Sequence, residues 1–206
     1  MQRVKIDPKR EMHELYAPTQ QPAIVEVPEL HFLQIDGRGD PNTSPDFRAA
    51  IAALYSVSYA AKFAVQRSIA GVDFTVMPLE ALWWADDLSQ LASSEKSDWY
   101  WTAMIMQPEP VTAQIIDKAL SEVTAKKDLP ALELLRFESL REGTAAQVLH
   151  IGPYADEGPT TARLHAFIAE HGYAPVGKHH EIYLSDPGRC APEKLRTVIR
   201  QPIAAP

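Results

Sequence analysis

KHHEIYLSDPGRCAPEKLRTVIRQPI, Lys178 to Ile203, is the stretch whose reading decides the fold. Glu181, Tyr183 and Ser185 alternate with His180, Ile182 and Leu184 until Asp186-Pro187-Gly188 breaks the run, the pattern of a strand, a tight turn and a second strand. A period of two puts Glu181 and Tyr183 on one face and Ile182 and Leu184 on the other. The apolar face is expected to pack on helices, so Glu181 and Tyr183 project into whatever covers the opposite face. If that is solvent, the pair is ordinary. If it is an aromatic cleft, the carboxylate sits there at a desolvation cost that packing alone does not explain.

Working outward, the composition bounds the rest. The chain has 206 residues, 46% hydrophobic and 23% charged, enough for one sizeable core or two small ones. No run approaches the ~20 apolar residues of a membrane span, and MQRVKIDPKREMHELY at the start lacks the apolar centre of an export signal. The single cysteine, Cys190, excludes an internal disulfide and fits a reducing cytoplasm. A net charge of −7 argues against nonspecific nucleic-acid binding, which depends on clustered Lys and Arg.

In chain order, residues 1–28 read as a charged, then Pro-rich strap with a short edge strand at Ala23 to Val27. One domain is expected over 29–206, in two halves, 29–109 and 110–206, divided at Pro108-Glu109-Pro110. Leu30 to Asp36 is a strand. Ser44-Pro45-Asp46 offers an N-cap, a proline at the first helical position and an acid in the first turn, and the apolar spacing from Phe47 continues the helix to Val65. Strands follow at Asp73 to Trp84 and Trp99 to Gln107, around an acidic, Ser-rich loop, Asp86 to Asp98. The second half offers a helix over Val111 to Lys127, strands at Leu132 to Glu142 and Thr144 to Ile151 joined at Gly143, a helix from Pro159 to Gly172, and the last two strands.

The halves share the order strand, helix, strand, strand. HFLQIDG (His31 to Gly37) parallels QVLHIGP (Gln147 to Pro153), and PLEALWW (Pro78 to Trp84) parallels HHEIYLS, matching Glu80 to Glu181. A pseudo-two-fold would bring the two carboxylates to related places beside a shared groove. HEIYLSDP with APEKLRTVIRQP, LRFESLREG (Leu135 to Gly143), VLHIGPYADEGPTTARLHAFI (Val148 to Ile168), WYWTAMIMQPE (Trp99 to Glu109), ALYSVSYAAKF (Ala53 to Phe63) and IDGRGDPN (Ile35 to Asn42) resemble the GyrI-like small-molecule-binding family in its stand-alone form, over most of the chain from Ile24 onward. The resemblance implies an α+β fold of duplicated strand-helix-strand-strand (SHS2-type) units, with an antiparallel sheet and a central ligand groove. It also implies that the glutamate of the penultimate strand faces the pocket.

Three groups of residues are candidates for chemistry. Glu181 with Tyr183 can orient and deprotonate a water or pair with a cationic ligand, whereas the bland alternative is an exposed strand glutamate. All four tryptophans lie on two adjacent strands, where Trp99 and Trp101 share a face and Trp83 and Trp84 point oppositely, with Glu80 on the face of Trp84. Flat rings in that number can sandwich a planar ligand, although core packing is the better account of any single one. GPYADEGPT supplies Tyr154 and Glu157, which resemble the family's loop at the pocket mouth; the acids there equally suit a helix N-terminus. Met104 is adaptable pocket wall or core filler. The expected catalytic set is therefore Glu181, Tyr183 and Glu157, and the expected ligand contacts are Glu80, Trp84, Trp99, Trp101, Tyr154 and Met104.

No metal and no cofactor is expected. His179, His180 and Glu181 are adjacent on a strand, so only His179 and Glu181 share a face, and Gly37-Arg38-Gly39 lacks the rest of a dinucleotide motif. The expected partner is a planar apolar or cationic small molecule. The resemblance implies three functions between which the sequence does not decide: hydrolysis of the strained cyclopropane of DNA-alkylating compounds, passive drug sequestration or sensing, and contact with DNA gyrase, for which Asp86 to Asp98 is the one surface nominated. Oligomeric state is left open.

Overall fold

Strands and helices appear in the following order in the computed structural model, which describes residues 4–67, 72–85 and 98–206. They are β1 (Val4–Ile6), α1 (Pro8–Glu11), α2 (His13–Tyr16), β2 (Ala23–Arg38), α3 (Pro45–Arg67), β3 (Val72–Phe74), β4 (Leu79–Trp84), β5 (Tyr100–Gln107), α4 (Ala113–Thr124), β6 (Arg136–Ile151), α5 (Gly158–Glu170), β7 (Ala174–Pro175), β8 (His179–Tyr183) and β9 (Arg196–Ala204). The helix starts follow the sequence signals. Ser44 Oγ accepts from Phe47 N–H (3.2 Å) to cap α3, and Thr112 Oγ1 accepts from Ile115 N–H (3.4 Å) to cap α4. The short strands expected on either side of Pro28 are one 16-residue strand, β2, and those expected on either side of Gly143 are one 16-residue strand, β6. The two breakers face the same gap in the β2–β6 ladder: Val27 pairs with Gly143 and Glu29 with Arg141, and Gly143 takes φ 69°. A proline without an N–H and a glycine in the left-handed region bend the paired strands without ending them.

The sheet runs β6-β2-β5-β4-β8-β9, all antiparallel, and β9 pairs back onto β6, so the strands close on themselves; β7 extends from β9. Closure removes the sheet edges and gives each strand an inside and an outside. Following the register, Gln34, Met104, Glu80, Ile182, Val198 and Leu149 form one layer across the inside. The helices cover the outside: α5 packs Leu164 and Ile168 on Ala146, Val148, Ile199 and Ile203, while α3 packs Ala50, Leu54 and Val57 into the larger core with Leu33 and Ile35. Gly37 lies opposite Trp101 across β2 and β5, and any Cβ there would collide with the indole, so the ring lies flat against the backbone.

This corrects one expectation. Ile182 does not face a helix; it fills the strand-lined interior beside Val198, whereas Glu181 and Tyr183 face the helical side. An apolar strand face signals burial, and in a closed sheet the other strands provide it.

The interior is not wholly apolar. His180 Nδ1 meets Glu142 Oε1 and His180 Nε2 meets Glu80 Oε2, each at 3.0 Å, with no solvent exposure of the imidazole. Arg200 donates from Nη1 to Glu142 Oε2 (3.0 Å) and from Nε to Gln147 Oε1 (3.0 Å). The N-terminal segment completes the network: Tyr16 Oη donates to Glu80 Oε1 (2.9 Å), Arg200 Nη2 to the Leu15 carbonyl (2.9 Å) and Gln147 Nε2 to the Glu14 carbonyl (2.6 Å). Burial alone would push the His180 imidazole down, but the Glu142 and Glu80 charges and hydrogen bonds outweigh it and bring the pKa up to about 9. Burial likewise opposes the ionised Glu142, and His180 with Arg200 overcomes it, holding Glu142 at about 2.

Two outcomes follow for solution measurements. Since folding raises the His180 pKa, its contribution is complete below 6.5 and is lost as pH climbs through about 9; since folding depresses that of Glu142, its contribution is present above 4.5 and is lost as pH falls toward about 2. Urea-unfolding free energy should therefore be greatest between these limbs, and His180→Gln should flatten the alkaline one. Glu142→Gln strands Arg200 and His180 without their shared counter-charge and should cost ~3–5 kcal/mol at neutral pH in the same assay.

Candidate functional site

Outside the closed sheet, α3 and α5 lean apart over β4 and β8 and leave a cavity of about 1290 Å³ between them. That exceeds the ~300–1,000 Å³ usual for small-ligand sites. One wall is a stripe on α3, Phe47, Ile51, Tyr55 and Tyr59, each four residues after the last and so on one helical face. Tyr55 is fixed there by accepting the Leu79 N–H at its hydroxyl (3.2 Å). Trp83 from β4 and Trp99 just before β5 continue the aromatic surface, their rings meeting edge to face at 5.9 Å. The opposite wall is polar: His165 on α5, Glu157 at its N-terminus, and His179, Glu181 and Tyr183 from alternate positions on β8.

Alternation on β8 brings these last three together. Tyr183 Oη donates to Glu181 Oε2 (2.7 Å), and His179 Nε2 stands 3.2 Å from Glu181 Oε1, so each carboxylate oxygen is held by a side chain two residues away. Trp83 Nε1–H donates to the Tyr183 hydroxyl oxygen (3.2 Å), and the Tyr154 ring packs edge-on against Tyr183 at 5.6 Å. Burial, then the Glu181 charge, pushes the Tyr183 phenol well above its ordinary 10. Burial with Glu157 and Glu181 takes Tyr154 up to about 12. Both phenols therefore stay protonated near neutrality, so neither is a base here, and the carboxylates of the cavity are the groups suited to accept a proton. Burial, assisted by His179, lowers the pKa of His165, which favours its neutral form.

Of the residues expected from sequence to form the site, the structure brings together Glu181, Tyr183, Glu157, Trp99 and Tyr154 at this cavity. Four others lie elsewhere, three of them for a common reason. Residues paired across β4 and β8 share a face, and Glu181 pairs with Ala81, so Glu80, one residue along, points inward to Tyr16 and His180. The expected two-fold matching of Glu80 with Glu181 fails on that parity. Met104, paired with Glu80, is buried inside with it. Trp84 is also on that face, stacked on Tyr100 at 5.8 Å with the Lys178 ammonium 3.3 Å from its ring centre. Trp101 is on the helical face but sealed, 1% exposed, under Phe47 at 5.0 Å.

Trp83, His179, His165 and the α3 stripe were not foreseen. The spacing of Phe47, Ile51, Tyr55 and Tyr59 was visible, but an apolar helical stripe looks the same whether it meets a core or a cavity. The acidic stretch nominated for partner contact lies outside the described residues except for Asp98, which pairs with Arg38 at 3.0 Å. Among the described residues no group of three or more His, Cys, Asp or Glu side chains gathers as a metal site. None of the described helices is long and apolar enough to cross a membrane.

Comparison with known proteins gives this geometry a family. The GyrI-like small molecule binding domain matches residues 20–204. Among solved structures, an uncharacterized conserved protein from Listeria innocua is 34% identical with a TM-score of 0.88, over 97% of this chain and 100% of that one. A protein from the same organism, described as a hydrolase, is 33% identical with a TM-score of 0.85 and the same coverage. The C-terminal domain of EcmrR, at 16% identity and a TM-score of 0.56 over 90% of this chain and 98% of its own, shares the fold. No curated protein matched. With the family signature matched across nearly its whole length and a cleft between two of its outer helices, the chain belongs to the GyrI-like small-molecule-binding family.

Proposed function

We propose that the protein binds flat, apolar small molecules between α3 and α5 and hydrolyses strained cyclopropane rings in them, in the cytoplasm, with Glu181 as the base. The observation that supports this reading best is a carboxylate held at both oxygens by its own strand, facing an aromatic wall across the cavity. The description of a 33% identical Listeria innocua protein as a hydrolase points the same way, as does the single cysteine for a reducing compartment.

The substrate must carry its own electron sink, a carbonyl conjugated to the three-membered ring. Trp83, Trp99 and Tyr55 lie against its rings, while Glu181 takes a proton from a water whose oxygen bonds to a ring carbon. The bond from that carbon to the ring carbon conjugated with the carbonyl breaks, and its electron pair moves through the conjugated system to the carbonyl oxygen. That oxygen is then protonated by the proton Glu181 has collected, so the net change is addition of one water. The neutral phenols of Tyr183 and Tyr154 contribute fixed dipoles on the Glu181 side.

Glu181→Gln keeps the shape of the site and removes the base. Incubation with a cyclopropane-bearing, carbonyl-conjugated alkylator, read by mass spectrometry, should show gain of one water with the natural protein and a fall of about 10²–10⁴-fold in the variant. Affinity should change little. Full turnover by the variant removes Glu181 as base, and tight binding with no mass change in the natural protein leaves sequestration as the function. Ligand entry should also quench tryptophan emission through Trp83 and Trp99, so Trp101→Phe should leave the quenching nearly unchanged while Trp83→Phe removes much of it.

A further inference from the structure

His179 is a polar group at the cavity that the reaction outlined above does not employ. Its Nε2 is 3.2 Å from Glu181 Oε1, its side chain is 11% exposed, and it faces Trp83 across the β4–β8 ladder. An ionised carboxylate only accepts hydrogen bonds, so Nε2 carries the proton in this contact. The two Glu181 oxygens are thus unequal: Oε2 is taken by a phenol anchored to Trp83, and Oε1 is held by the imidazole. Without His179 the Oε1 oxygen loses the contact its own strand supplies, while the Tyr183 contact at Oε2 stays.

We propose that His179 is a positioning residue, whose Nε2–H helps to fix the plane of the Glu181 carboxylate for proton abstraction from the attacking water. This inference rests on the hydrolytic reading of the site. A histidine that merely fills the wall would govern ligand affinity and stability. One that aims the base governs the chemical step and leaves affinity alone. The role needs a donor at the Nε2 position, which the amide nitrogen of glutamine reproduces and a phenyl ring does not.

The test is steady-state water addition to the same cyclopropane substrate by His179→Phe and His179→Gln. The Phe variant should lose about 10²-fold in kcat with KM within about 2-fold, and the Gln variant should recover most of the loss. Carboxyl-carbon NMR of labelled protein, with Glu181→Gln as the assignment control, should show Glu181 titrating about one pH unit higher in the Phe variant and near its natural position in the Gln variant. If the Phe variant does not fold, His179→Asn, polar but too short to reach, takes its place. Unchanged kcat in the Phe variant, a Gln variant as slow as the Phe one, a rise in KM alone, or an unmoved Glu181 titration each overturn the role of His179. A natural protein that binds the substrate without adding water overturns the hydrolytic reading itself.

Discussion

Two neighbouring residues on one short strand set the character of the molecule. His180 points into the closed sheet, where Glu80 and Glu142 clamp it and no water reaches it; Glu181 points out, into a cavity roofed by helices. Pleating alone separates the two environments, since successive side chains leave opposite faces. A slip of one residue in the β4–β8 register would exchange them, placing the cavity's glutamate among buried charges and a caged imidazole in the cavity. The ion pairs on the inside therefore also specify what stands on the outside. A buried charge that misses its partners costs several kcal/mol, more than a displaced leucine would.

The sheet order that results explains why one helix carries so much of the binding surface. α3 is 23 residues long, and its first four turns offer an aromatic or aliphatic side chain at every fourth position to the same cavity. α5 is shorter and offers His165 and Thr161 instead. The cavity is thus apolar on one side and polar on the other, a division that suits a small molecule with an apolar and a polar end.

Much of the architecture was legible because the sequence signals are local. Ser44-Pro45-Asp46 starts α3, and the run ending at Asp186-Pro187-Gly188 is β8 and its turn. What was not legible depends on closure. Whether Ile182 meets a helix or a strand, and whether Glu80 and Glu181 share a side, is decided by how β4 pairs with β8 and by β9 returning to β6. No window of sequence contains those pairings. The tryptophans show the same limit: alternation placed Trp84 with Glu80 correctly, but Trp83 and Trp101 share the helical face, both nearly buried and both packed on Phe47, and only the three-dimensional packing shows that Trp83 borders the cavity.

The docking of Glu14, Leu15 and Tyr16 against Arg200, Gln147 and Glu80 carries a consequence for where this domain begins. The family signature starts at residue 20, yet three groups deep in the sheet take hydrogen-bond partners from before that point. The span of the family signature and the set of residues that pack together thus have different boundaries in this chain. The outlying segment is internal scaffolding: its Leu15 carbonyl solvates a buried arginine, and its Glu14 carbonyl takes the amide of Gln147.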